Sequence, residues 1–269
     1  LKTAYEKSDI SEREEFKRFK AENAYWLKDY AMFMAIKERF NGQSFDHWAE
    51  DIKLRWEYSM EYYESELADE ITFYEFIQYE FYRQWYKLKK YANDNGIKII
   101  GDIPIYVAYD SADVWAHPEL FQIDDERNPI AVAGCPPDGF SATGQLWGNP
   151  LYKWDYHKYT NYDWWIKRIE RSVKLYDVVR IDHFRGFDEY YSIPAKDKDA
   201  TGGHWEKGPG IDLFNGIKYC LGDINIIAED LGYITDTVRQ LVKDSGFPNM
   251  KVLEFAFDSR DSSGPRDYL

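Results

Sequence analysis

The sequence predicts an α/β fold: a (β/α) barrel, present as an incomplete barrel of about four parallel strands, with a helical region ahead of it. Three observations carry this. Two short apolar runs, Val178-Val179 and Ile226-Ile227-Ala228, each lead into charged residues and a glycine, as buried parallel strands do where they open into a site. Segments with apolar residues at helical spacing alternate with these runs. Acidic residues follow the strands, at the end where such barrels carry their functional groups.

Residues 1–95 read as a helical subdomain, inserted in or packed on the barrel. Ser11 with Glu14, and Thr72 with Glu75, match the capping-box spacing. Phe73, Phe76, Ile77 and Tyr91 recur at helical spacing until Asn95-Gly96 stops the helix. Asn41 to Met60, rich in Trp, Tyr and charge, reads as short helices between the longer ones. Residues 96–269 read as the central part of the barrel. Its first strand is Ile97 to Ile100, which runs into Gly101-Asp102 and is closed by Pro104. Two long active-site loops are expected, 108–155 and 188–210, each dense in turn signals. Between them Asn161 caps a helix whose Tyr162, Trp165, Ile166, Ile169, Val173 and Tyr176 share a face. A short helix near 212–221 precedes the Glu229 strand. Asp236 caps the next helix, Gly246 ends it, and Met250 to Phe257 forms the fourth strand.

Composition narrows the partners. The 269 residues carry a net charge of −14, which argues against nucleic acid as a partner. No apolar run has membrane length and no signal-peptide pattern stands at Leu1, so a cytoplasmic setting is expected. The two cysteines are far apart and match no zinc spacing, so no metal and no cofactor are expected. Aromatic residues make up 18% of the chain; Tyr and Trp combine an apolar face with a polar tip, which suits stacking on a sugar ring as well as core packing.

The chemistry sits at the strand ends. On a strand, residues two apart share a face, so Arg180 and Asp182 point the same way. A permanent cation beside Asp182 favours its ionised form, which can serve as a nucleophile; a salt bridge at a strand end is the plain alternative. If the next parallel strand is its neighbour, Glu229 projects from the same rim. Following three apolar residues, it is expected to hold a proton to donate. Two such carboxylates are the equipment for breaking a glycosidic bond, and a retaining pair lies about 5 to 5.5 Å apart.

Six stretches then occur in a fixed order: Gly101-Asp102-Ile103-Pro104-Ile105-Tyr106-Val107, Asp113-Val114-Trp115, Pro136-Pro137-Asp138, Gly144-Gln145-Leu146-Trp147-Gly148-Asn149-Pro150, Arg180-Ile181-Asp182-His183-Phe184-Arg185-Gly186 and Ala228-Glu229-Asp230-Leu231-Gly232. With them the sequence resembles the 4-α-glucanotransferases (amylomaltase or disproportionating enzyme), glycoside hydrolase family 77 of the α-amylase clan. The resemblance implies a glycosidase-type (β/α)8 TIM barrel. It implies transfer of 1,4-α-glucan segments, with maltooligosaccharides and glucose as substrates, through a covalent glucosyl-aspartate. Asp182 would be the nucleophile and Glu229 the general acid/base. Arg180 would keep the nucleophile ionised, His183 would hydrogen-bond the sugar, and Asp102 would be a rim acid of the same subsite. Gln145 and Trp147 would belong to the loop over the bound glucan, and Phe255 would contact the acceptor.

Two departures shape the expectation. The family carries a third carboxylate, an Asp directly after a His on a later strand, and no His-Asp pair occurs here. The first barrel strands have no counterpart either. The chain therefore reads as a central fragment whose exposed barrel edges favour self-association. The alternatives are a non-catalytic glucan-binding fragment and a glucan hydrolase of the same clan. The expectation is that this chain alone does not disproportionate maltotriose, and turnover near that of an intact relative would refute it.

Overall fold

A computed structural model describes residues 1–139, 141–232 and 234–253. The chain forms two compact units. One comprises Leu1–Ile97, Tyr106–Tyr159 and Tyr191–His204; the other comprises Lys98–Ile105, Thr160–Tyr190 and Trp205–Leu269. In chain order the helices up to residue 95 are α1 (Lys2–Glu6), α2 (Glu14–Arg39), α3 (Glu50–Lys53), α4 (Glu57–Glu66) and α5 (Ala68–Asp94). They are followed by β1 (Ile100–Ile103), α6 (Ala112–Ala116), β2 (Ala131–Cys135), β3 (Gln145–Pro150), α7 (Trp154–Tyr159) and α8 (Asp163–Leu175). The remainder is β4 (Val178–Ile181), β5 (Glu189–Pro194), β6 (His204–Lys207), α9 (Ile211–Leu221), β7 (Ile226–Ala228) and α10 (Asp236–Ser245).

In the first unit, α2 and α5 pack through aromatic side chains. Phe16 and Phe19 of α2 meet Tyr79, and Trp26 meets Tyr82, with ring centroids 5.5 to 6.0 Å apart. Acids in the first turn of α2 (Glu14, Glu15) and bases in its last (Lys37, Arg39) match the helix dipole. The proposed capping boxes do not form. Ser11 lies in a 3₁₀ turn, Ile10–Glu12, and Arg13 precedes α2 without a side-chain cap. Thr72 lies one turn inside α5, and its hydroxyl donates to Ala68 O. Charge at the ends and tertiary packing do the work assigned to the caps. Trp115, from the second of the six stretches, is wholly buried: its Nε1 donates to Ile52 O at 3.0 Å and the Arg55 guanidinium lies 4.2 Å over its ring.

The segments expected as long loops are partly sheet. Strands pair in the order β3-β2-β5-β6, with β2 antiparallel to both β3 and β5. Ala131 to Gly134 and Tyr191 to Ile193 are buried, so the two insertions bury apolar residues against one another. Their pairing joins residues about sixty positions apart in sequence, Ala131 with Pro194 through Gly134 with Tyr191, and each partner alone shows mainly its turns.

The second unit holds a parallel sheet in the order β1-β4-β7. Ile100 pairs with Val178, Asp102 with Arg180, Ile103 with Ile181 and, on the other side, Ile181 with Ala228. Among the described residues there are three such strands, not four; the fourth segment is represented by one parallel bridge, Ala228 to Asn249. Residues 254–257 of the expected strand lie outside the described residues. The first strand also starts later than expected. Ile97 belongs to the end of α5, where its N–H closes on Ala92 O at 2.9 Å around a left-handed Gly96, a Schellman-type stop.

Helices α8, α9 and α10 complete this unit. Trp165 and Ile169 of α8 are fully buried as expected, and Trp165, Phe184, Phe187, Phe214 and Phe247 form one ring cluster. Two caps shift by one residue. Tyr162, in the left-handed region, precedes α8 in place of Asn161, and Thr235 rather than Asp236 caps α10 by accepting from Val238 N–H. Gly101 is required by packing: a Cβ there would lie 2.0 Å from the Tyr176 ring. Gly101→Ala should therefore lower stability by about 1 to 3 kcal/mol, the usual cost of overpacking; an unchanged urea midpoint would mean the ring moves aside freely.

Candidate active site

Asp102, Arg180, Asp182, His183 and Glu229 gather at the carboxyl ends of β1, β4 and β7. Alternation along β4 buries Val179 and Ile181 completely on one face and leaves Arg180 and Asp182 on the other. Register then places Asp102 beside Arg180. The guanidinium bridges two acids: Nη1 donates to Asp102 Oδ1 at 2.6 Å and Nη2 to Asp182 Oδ1 at 2.9 Å. Its third contact, Nε to Met250 Sδ at 3.1 Å, comes from the segment after α10. Burial works against the charge on Arg180, and the two carboxylates, Asp102 foremost, outweigh it and raise its pKa above the ordinary arginine value. The planar fork of arginine suits such a bridge where a lysine would not.

The ladder continues past the strands. Asp182 N–H donates to Ile103 O, Glu229 N–H to Ile181 O and Phe184 N–H to Glu229 O, at 2.9, 3.1 and 2.9 Å. Asp182 and Glu229 thus stand one step beyond neighbouring strands. Glu229 is buried, and both its oxygens are engaged by backbone: Oε2 accepts from His183 N–H and Oε1 from Leu231 N–H, each at 2.8 Å. The chain turns there and aims two amides at the carboxylate. His183 makes one of these turns in the left-handed region, φ 53°, an uncommon state for a residue with a Cβ. Gly232, φ 90°, makes the other at no such cost. Asp182 is 45% exposed, so it can meet a substrate from solvent while Glu229 stays held.

Burial drives the His183 pKa down to about 4, with the Arg185 charge adding to the shift and Asp182 opposing it. The imidazole is neutral at physiological pH, able to donate from one nitrogen and accept at the other. The amide donors to Glu229, and the Met250 contact, have no sequence signature: they depend on backbone direction after the strands.

Gln145 and Trp147 belong to the first unit, at the start of β3, where Trp147 Nε1 donates to Gln145 Oε1 at 2.9 Å and the Trp147 ring lies 6.3 Å from that of Tyr106. Phe255 lies outside the described residues. No helix among the described residues is long and apolar enough to cross a membrane.

Comparison with known proteins gives a consistent picture. The 4-alpha-glucanotransferase family model of glycoside hydrolase family 77 matches residues 1–269. A 4-alpha-glucanotransferase of Clostridium butyricum is 51% identical over 98% of this chain and 54% of its own length. One from Streptococcus pneumoniae is 49% identical over 95% of this chain and 51% of its own. Among solved structures, an amylomaltase from Streptococcus agalactiae in complex with acarbose is similar with a TM-score of 0.89 and 48% identity, covering 93% of this chain and 50% of that one. The chain spans about half the length of the curated relatives it matches.

One consequence concerns pH. The folded pKa of His183, about 4, lies below the ordinary 6.5, so the unfolded chain binds the extra proton first. Stability from this group is complete above pH 6.5 and is lost as pH falls toward 4. An NMR titration should find the His183 ring neutral at pH 5.5; a midpoint near 6.5 would show that its surroundings do not disfavour the charged ring.

Proposed function

The chain belongs to the 4-alpha-glucanotransferase family, and from that premise we propose that the protein transfers 1,4-α-glucan segments to an acceptor glucan or to glucose by a retaining double displacement. The observation that supports this most is the arrangement around Arg180: one exposed carboxylate on the guanidinium and one buried carboxylate fastened to the amide that follows it. In this reading the three parallel strands are a sector of a (β/α)8 barrel.

Asp182 attacks the anomeric carbon as Glu229 delivers a proton to the glycosidic oxygen, and the donor glucosyl group becomes an ester on Asp182. The leaving glucan departs with its new hydroxyl. Glu229, now a base, takes the proton of an acceptor hydroxyl, which attacks the anomeric carbon and releases Asp182. Two inversions retain the α configuration. Arg180 turns the Asp182 carboxylate toward the attack position and counters its charge. His183, neutral, hydrogen-bonds a sugar hydroxyl. Asp102, on the other arm of the guanidinium, lines the same subsite. Gln145, Trp147 and Phe255 supply contacts to the glucan, and aromatic cover that keeps water from the ester favours transfer.

Maltotriose given to the whole protein, as distinct from this chain alone, should yield glucose together with a ladder of longer maltooligosaccharides; shortened products alone, with rising reducing ends, would indicate hydrolysis. Asp182→Asn should leave no turnover above background, and Glu229→Gln should cost about 10² to 10⁴-fold in kcat, the range for lost acid–base assistance. With a glucosyl fluoride donor, whose leaving group needs little protonation, Glu229→Gln should accumulate an adduct. Peptide mass spectrometry locates it, and label on any residue other than Asp182 would overturn the assignment.

A further inference from the structure

A guanidinium hung on two carboxylates can still rock about the line joining them. In Arg180 a third contact removes that freedom, and its acceptor is a thioether, Met250 Sδ, 3.1 Å from Nε. Met250 lies in none of the three parallel strands. It follows the single bridge from Ala228 to Asn249, and Asp230 fastens it there. Oδ1 of Asp230 accepts from Met250 N–H at 3.2 Å, and Oδ2 accepts from Asn249 Nδ2 at 2.9 Å. Asp230 thus spends both oxygens on the neighbouring segment, although it is adjacent in sequence to Glu229.

We propose that Asp230 and Met250 are positioning residues for the transfer reaction: Asp230 pins residues 249–250 beside β7, and the Met250 sulfur then fixes the plane in which Arg180 presents its two arms to Asp102 and Asp182. The choice of sulfur fits this role. It accepts weakly and carries no charge, so it orients Nε without drawing the cation away from the acids, as a third carboxylate would. The inference rests on the reading of Asp182 as nucleophile given above.

The test is maltotriose disproportionation by the whole protein. Met250→Leu keeps an apolar side chain of similar volume and removes the acceptor. It should lower kcat about tenfold, as small misplacements of reacting groups do, with KM and Tm unchanged. Met250→Gln, which restores an acceptor at similar reach, should recover most of the loss. Asp230→Asn sets an amide donor against the Asn249 donor and should reproduce the defect, and the exchange Asp230→Asn with Asn249→Asp should reverse it. Wild-type kcat in Met250→Leu would overturn the proposal, as would losses that track a fall in Tm and survive both rescues. Asp182→Asn is measured alongside. If it retains activity, the reading of the site fails; if it is inert while Met250→Leu is fully active, only the present inference fails.

Discussion

Everything at the strand ends depends on one cation shared between two acids. Arg180 reaches Asp102 on one side and Asp182 on its own strand, and this is possible only because the parallel register sets Asp102 against Arg180. A slip of one residue would turn Arg180 and Asp182 to the opposite face and bring Val179 and Ile181 out of the core. The buried residues therefore hold the register, and the register holds the site. Side chains that never meet a substrate, including the Tyr176 ring against Gly101, act in this way on where the charges lie.

The legible part of this fold was the part governed by short-range pattern. Period-two alternation placed Arg180 and Asp182 together, and helical spacing found Trp165 and Ile169, both buried. Punctuation by glycine and proline marked the end of α5 and of β1 correctly. What failed was local chemistry that tertiary contacts override: Ser11, Thr72, Asn161 and Asp236 are good caps in isolation, and none serves as one. What stayed hidden was pairing between distant segments. The β2–β5 ladder joins residues 131–134 to 191–194, and neither segment alternates cleanly because both are buried.

The site divides along the same line. Carboxylates after apolar runs, and an arginine two residues before one of them, could be found by eye, and the six ordered stretches named a family that comparison bears out. The environment of Glu229 could not be found that way. The folded chain aims two amides at its carboxylate. Backbone donors carry no side-chain identity, so no composition of residues announces them.

That backbone clamp has a mechanical consequence. The peptide unit between Asp182 and His183 has its start on one acid and its N–H on the other, so a single rigid plane ties the two together. Thermal excursions of β4 relative to β7 are resisted where they would change the gap between the carboxylates, and are tolerated where both travel as one body. The molecule behaves there like a caliper with one jaw in main chain and the other in a side chain: the His183 amide is fixed by the backbone, and the opening holds for as long as the Glu229 carboxylate keeps the rotamer that reaches it.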